Sequence, residues 1–239
     1  MTTANSREIA ILMAAGLGSR MRPLTDTVAK PLVAVNGVPL VETVIAALEK
    51  RGVEEIFVVT GYKAEQFKPL AERHANLRLV HNPEYAAKNN INSVAVVADR
   101  MKDRDCFICE ADLFLPKDDV LCRDLAQSGY FGKMVAGHSD DWVFDTDPAG
   151  RITRVGKGGD DRFNMVGVSY FRAADAAKVA VAVLEDVRKP ENAQLFWDEV
   201  VDRLVKGGEL DLVVHEVQPG DIVECDTVED LKALEAKLK

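Results

Sequence analysis

Apolar residues fall in short continuous runs through the first half of the chain and in broken runs through the second. Glu8–Ala14, Glu55–Thr60, Leu77–His81 and Cys106–Cys109 are largely apolar, several of them β-branched, as in strands buried on both faces. Between them, apolar spacing predicts a helix over Leu40–Arg51, ended by Gly52, and a short one after Gly61-Tyr62 that runs through Arg73. A third is expected over Asn92–Met101, capped by Asn92 or its neighbour. Strands alternating with helices predict a parallel sheet covered on both faces. The second half differs. Phe131–Gly137, Val143–Asp145, Ile152–Val155 and Val166–Phe171 read as short strands separated by Asp-Pro-Ala-Gly and Gly-Lys-Gly-Gly-Asp-Asp turns. Helices are expected over Ala173–Arg188 and Ala193–Lys206, and a strand over Leu210–Val217. Thr227-Val-Glu-Asp230 opens a last helix like a capping box, with Asp where Glu or Gln is usual.

At 239 residues, without repeats or low-complexity linkers, the chain reads as one α/β domain. A hydrophobic fraction of 47% with 29% charged residues places it among globular proteins. The net charge of −9 gives no general attraction to nucleic acid or to anionic lipid. No apolar run approaches the roughly 18 residues of a spanning helix, so membrane insertion is not expected. The polar Met1–Arg7 segment argues against a signal peptide, and a cytoplasmic protein is expected. Cys106 and Cys109 have C-x-x-C spacing, which suits a redox pair or half a zinc site. Inside a strand, however, residues three apart face opposite ways, which favours free buried thiols.

The most informative stretch follows the first strand. Met-Ala-Ala-Gly16-Leu-Gly18-Ser-Arg20 runs on through Pro23-Leu-Thr to Lys30-Pro31-Leu. Glycines let backbone approach phosphate oxygens, and the nearby cations neutralise a polyphosphate. The spacing is not that of a P-loop, because no Lys-Ser/Thr pair follows Gly18. It lacks the third glycine of a dinucleotide fingerprint, and Met21 stands there instead. In open parallel sheets ligands bind beyond the carboxyl ends of the strands, where this loop, Gly61-Tyr62 and Glu110-Ala111-Asp112 all lie. Asp226, before the last helix, is a second candidate acid. Two carboxylates beside a polyphosphate suit Mg2+, although an Asp at that place is also a common N-cap, and Asp112 could be a solvated loop acid.

The order Leu-x-Ala-Ala-Gly-x-Gly-Ser-Arg, Lys-Pro-Leu, Gly-Tyr, Asn-Pro-x-Tyr, Asn-Asn-x-x-Ser and Glu-Ala-Asp is similar to bacterial phosphocholine cytidylyltransferases. The likeness extends to Leu195-Phe-Trp-Asp-Glu and the closing Cys-Asp-Thr-Val-Glu-Asp. It implies a Rossmann-like nucleotidyltransferase fold with a mostly parallel central sheet and a small antiparallel acceptor-binding subregion. The nucleotide half would run to about residue 130 and the acceptor half from about residue 131. It further implies transfer of CMP from CTP to a phosphorylated or phosphonate amino-alcohol, with loss of pyrophosphate. Carried over residue by residue, Arg20 and Lys30 would contact the triphosphate and α-phosphate as the catalytic pair. Ala14, Ala15, Gly16 and Gly18 would frame the nucleotide with Gly61 and Tyr62, Asn89, Asn90 and Ser93 would help read the base, and Asp112 and Asp226 would hold Mg2+.

The expected acceptor is phosphocholine. Trp142, Phe144, Phe196 and Trp197 lie among acids, and aromatic faces beside carboxylates attract quaternary ammonium. Trp142 and Trp197 are the expected contacts, with Asp141 and Asp198 as compensating charge. One of Phe196 and Trp197 should be core, since adjacent helical residues do not share a face. The same pattern accepts a primary ammonium, as in 2-aminoethylphosphonate. A sugar-1-phosphate nucleotidyltransferase and a catalytically silent nucleotide sensor are the competing readings. Monomer and homodimer both stay open.

Overall fold

The computed structural model describes residues 7–238, so that most of the polar Met1–Arg7 segment read above lies outside the described residues. Among the described residues, eleven strands and six α-helices follow in chain order. They are β1 (Ile9–Ala14), β2 (Ala34–Val35), β3 (Val38–Pro39), α1 (Leu40–Arg51), β4 (Glu55–Thr60), α2 (Lys68–Arg73), β5 (Leu77–His81) and α3 (Ile91–Ala95). Then come β6 (Cys106–Glu110), β7 (Leu113–Phe114), β8 (Gly129–Thr146), β9 (Ile152–Phe171) and α4 (Ala173–Asp186). The chain ends with α5 (Trp197–Lys206), β10 (Val213–Glu216), β11 (Val223–Glu224) and α6 (Val228–Lys237). One seven-stranded sheet, ordered β10-β8-β9-β6-β1-β4-β5, carries strands from both halves of the sequence.

β1 is an inner strand of the sheet, with five of its six residues buried. Ile9 and Ile11 face one apolar cluster, Ala10 and Leu12 the other, and β4 and β6 flank the strand in parallel register. α1 covers one face through Val41, Val44, Ile45 and Leu48, while α4 and α5 cover the other through Val179, Val183, Val200 and Leu204. The same alternation separates the C-x-x-C pair: Cys106 belongs to one cluster and Cys109 to the other, and both are free, buried thiols. No helix among the described residues is long and apolar enough to cross a membrane.

Two departures from the sequence pattern shape the cleft. The helix expected over Asn92–Met101 is shorter: α3 stops at Ala95, and a 3₁₀ turn over Ala98–Met101 completes the run. Asn92 caps nothing. It is buried, and its amide donates to Asn82 Oδ1 at 2.6 Å. The four short strands expected in the second half are the legs of two long, bent ones. β8 pairs with β9 antiparallel from Gly129↔Tyr170 to Thr146↔Ile152, but the ladder breaks register around Val135–Trp142. There the pair curls back, so that Val143 and Phe144 pair with Gly156 and Val155 on one side and with Asn164 and Phe163 on the other. The glycine-rich segment Gly156–Asp161 supplies the bend rather than a loop. Bulges in antiparallel pairs bend strands and re-aim side chains. Here they roof the carboxyl end of the sheet.

Candidate active site

The loop after β1 is built to hold one lysine in place. Three 3₁₀ turns, Ser19–Met21, Leu24–Asp26 and Lys30–Leu32, fold it against the sheet, and Met21 anchors it in a cluster with Leu40, Phe114, Cys225 and Leu231. Gly18 has φ +62°, and a Cβ there would sit 2.8 Å from Lys30 Cβ and 3.0 Å from the Thr25 methyl. The glycine thus lets the Lys30 stem pass under the loop, a use beyond close approach to phosphate. Gly16 has open space where its Cβ would be, so the backbone there meets the cleft bare. Gly61 acts from behind, since a Cβ on it would run into the Tyr85 side chain at 2.6 Å and Ala15 O at 2.8 Å. Tyr62 braces the loop by donating through its backbone N–H to Ala15 O and through its hydroxyl to Thr25 O, both at 3.1 Å.

Lys30 is 8% exposed, and its ammonium donates to the carboxylates of both Asp112 and Asp226. Burial alone would lower its pKa, but the two carboxylates outweigh that and raise it, so the residue stays charged. Burial pushes the Asp226 carboxyl the opposite way from Lys30, and Lys30 with Arg20 prevails and holds it below the usual range. Arg20 Nη1 lies 2.9 Å from Asp226 Oδ2. Asp226 is not the helix cap. Thr227 takes that place and accepts from the Asp230 N–H, while the Asp230 carboxylate accepts from the Thr227 N–H at 2.8 Å. The Asp226 carboxylate is thereby left to the cleft.

Glu224 completes a group that sequence reasoning missed. Asp112, Glu224 and Asp226 each offer an oxygen, all within 4.8 Å of one another, the one such acidic or thiol/imidazole cluster among the described residues. Glu224 keeps an exposed face, but the protein packed around its carboxyl, and after it Asp112 and Asp226, raise its pKa. Glu110 is raised too, first by burial and then by Asp112. The missed signal was a strand period: Glu224 and Asp226 lie two apart and so face the same side of β11 and its continuation. Hard oxygen donors in this number suit Mg2+, and the Lys30 ammonium already sits among them as a cation.

The remaining expected residues sort by pocket. Ala15, Gly16, Asn89, Asn90 and Ser93 line one pocket beyond β1. Asn82, Tyr85 and Lys88 join them there. Ala14 and Gly18 line its continuation over Lys30. A separate cleft beneath the bent β8–β9 pair holds Asp141, Trp142, Lys133, Lys157, Asn164 and Phe196. Arg20, Glu110, Glu224 and Asp226 line both the pocket and the cleft.

Trp197 and Asp198 are not in that cleft. Trp197 is 2% exposed, stacked on Tyr130 at a centroid distance of 5.9 Å and edge-on to Phe171 at 6.1 Å. Asp198 is buried and accepts from the Tyr130 hydroxyl at 3.1 Å. The ring that meets Trp142 is Phe196, at 5.5 Å between centroids. The reason is the helix start. The helix expected from Ala193 begins at Trp197, and Phe196 is its extended N-cap at φ −80° and ψ 144°, its N–H donating to Glu199 Oε2 at 2.8 Å. Cap geometry sends Phe196 outward and Trp197 in. Trp197→Ala should therefore cost about 3–5 kcal/mol of stability, the range for a buried large aromatic, measured by denaturant unfolding. Trp142→Ala, at a half-buried position, should cost far less stability.

Burial raises the Asp198 pKa to about 7. A carboxyl raised on folding binds its proton more tightly in the native state, so stability falls as pH climbs from the ordinary carboxylate range to about 7 and levels off above it. Asp198→Asn removes that loss while keeping an acceptor for Tyr130. Its Tm advantage over the parent protein should grow between about pH 4 and about pH 8, and a constant difference would contradict this reading.

Comparison with known proteins agrees with this geometry. A family model described as a MobA-like NTP transferase domain matches residues 10–156. A 2-aminoethylphosphonate cytidylyltransferase from Lancefieldella rimae is 48% identical, over 95% of this chain and 91% of its own length. A choline-phosphate cytidylyltransferase from Streptococcus pneumoniae is 34% identical, over 96% of this chain and 98% of its own. A solved structure of CTP:phosphocholine cytidylyltransferase from Streptococcus pneumoniae superposes with a TM-score of 0.89 at 34% identity, covering 98% of this chain and all of that one. With its Gly-Arg-Lys loop folded at the end of a mostly parallel sheet, this chain belongs to the MobA-like NTP transferase family of nucleotidyltransferases, in its cytidylyltransferase branch.

Proposed function

We propose that the chain transfers CMP from CTP to an oxygen of 2-aminoethylphosphonate, releasing pyrophosphate. The observation that carries this reading is that nucleotide pocket and acceptor cleft meet over the same four residues, Arg20, Glu110, Glu224 and Asp226. An acceptor oxygen and an α-phosphorus held on the two sides of that seam lie within reach of each other. A phosphonate oxygen attacks the α-phosphorus in line, one new P–O bond forms, and the bond to the β-phosphate oxygen breaks with its electron pair on pyrophosphate. No protein nucleophile is needed, so the chain contributes positioning and charge.

In this scheme Lys30 leaves its carboxylate partners for the α-phosphate, and Arg20 neutralises the outer phosphates. The 82- and 196-residue separations between Lys30 and its two acids show that the fold, not local sequence, assembles the group. Asp112, Glu224 and Asp226 would hold Mg2+, which supplies charge stabilisation to the phosphates when bound. Ala15 and Gly16 would flank the nucleoside with Asn89, Asn90 and Ser93. Asn82 ties that wall together, since it accepts from Asn92 at 2.6 Å and donates to Ser93 Oγ at 3.2 Å.

The choice of acceptor rests on two supports. The relative at 48% identity is named for 2-aminoethylphosphonate. The acceptor cleft has two aromatic rings but several acids, with Asp140, Asp141 and Glu110 on its walls. Acids that can take N–H bonds suit a primary ammonium. Phosphocholine, the acceptor expected from the sequence, is the second reading, and the Trp142–Phe196 ring pair favours it. Pyrophosphate release with each of the four NTPs, against 2-aminoethylphosphonate, phosphocholine and glucose-1-phosphate, tests both. CTP with 2-aminoethylphosphonate should give the highest kcat/KM. Higher kcat/KM with phosphocholine would move the acceptor assignment to the second reading.

A further inference from the structure

Trp142 and Phe196 form the cleft's aromatic corner, and this chain fills it with its own cation. Lys157 Nζ lies 5.6 Å from the Trp142 ring centroid and 5.0 Å from that of Phe196, within cation–π range of both. Lys157 is held opposite Trp142 in the β8–β9 ladder. An ammonium entering the cleft therefore competes with a tethered one for the rings.

A different receptor is left over beside them. Asn164, on β9, lines the same cleft and is 4% exposed. Its Nδ2 donates to Ser139 Oγ at 2.6 Å and to Asp141 Oδ2 at 3.4 Å. That assignment of the amide follows from charge, since an amide oxygen turned toward Asp141 would face a carboxylate. The Asn164 Oδ1 is then a buried acceptor with no hydrogen-bond partner among the described residues. Buried acceptors without partners are uncommon and costly, and a partner brought by a ligand removes the cost.

Building on the reading of the cleft as an acceptor site, we propose that Asn164 Oδ1 and the Asp141 carboxylate together receive the N–H groups of a primary ammonium, while Lys157 keeps the aromatic corner closed to a quaternary one. A primary ammonium has three donors and can give one to each oxygen. A trimethylammonium has none, so it leaves Oδ1 unpaired and must displace Lys157. A site built to bond an N–H rejects the analogue that lacks it more strongly than a shape filter can. Asn164 is thus a specificity-determining residue, and Lys157 the element that biases the site against the bulkier cation.

The test compares kcat/KM toward 2-aminoethylphosphonate and its N,N,N-trimethyl analogue, which share one phosphonate. Asn164→Ala should lower kcat/KM for the primary amine by roughly 10–100-fold, mainly through KM, and leave the trimethyl analogue nearly unchanged. Lys157→Met should raise kcat/KM for the trimethyl analogue alone. An Asn164→Ala enzyme that loses both acceptors equally, or neither, overturns the role of Asn164. If that variant does not fold, judged by loss of CTP binding in calorimetry, Lys157→Met decides: an unchanged preference overturns the proposal. A parent enzyme inactive with CTP and either acceptor instead overturns the cytidylyl-transfer reading beneath it, so the two failures are told apart.

Discussion

Lys30→Ala should give a folded protein whose turnover is lower by roughly 10²–10³, the scale for one charge donor lost from a transition state. The lysine is nearly buried, yet its ammonium meets two carboxylates: the stem passes Gly18 and the head reaches Asp112 and Asp226. Its removal leaves a gap under the loop and three carboxylates facing one another without their resident cation. Like charges at such range repel, so the variant should lose some thermal stability and regain more of it on adding Mg2+ than the parent does. Steady-state pyrophosphate release reads the first effect and scanning calorimetry the second. A variant with full turnover would remove Lys30 from the chemistry. A variant that gains nothing from Mg2+ would instead count against the three acids as a cation site.

Asp112→Asn should cost a comparable factor, roughly 10²–10³ in kcat/KM, because it removes the acid at the end of β6 that faces both Lys30 and the other two carboxylates. Asn keeps the shape but halves the capacity to bind a hard cation, so the Mg2+ concentration for half-maximal activity should rise as well. The Cys225 N–H donates to the Asp112 backbone carbonyl at 3.1 Å, a bond that the substitution leaves alone. Thermal unfolding should therefore change little while activity collapses. Loss of activity with an unchanged Mg2+ requirement would make Asp112 a partner of Lys30 alone.

Much of the frame could be read along the chain because it depends on local pattern. Leu40–Arg51, Glu55–Thr60 and Leu77–His81 stand where their apolar spacing puts them, and β1 is as buried as its composition requires. Features set by long-range pairing could not be read this way. Glu224 joins the acidic group because β11 lies antiparallel to β7, which brings it beside Asp112 across more than a hundred residues. The exchange of Trp197 for Phe196 in the cleft beneath β8 and β9 turns on one residue of helix phase, fixed by the cap at Phe196 rather than by periodicity. Asn164 and Lys157 stayed hidden for a third reason. Each is an ordinary strand residue until the bulges of β8 and β9 fold the ladder back over the cleft.

On the proposed reading, these residues join a cytidylyl group to a phosphonate oxygen. ³¹P NMR of the purified protein with CTP, Mg2+ and 2-aminoethylphosphonate follows that bond directly. Inorganic pyrophosphate should appear together with a new pair of mutually coupled resonances, one phosphonate and one α-phosphate, growing in equal amounts. CTP left intact, or hydrolysed to CMP without the coupled pair, would contradict that reading.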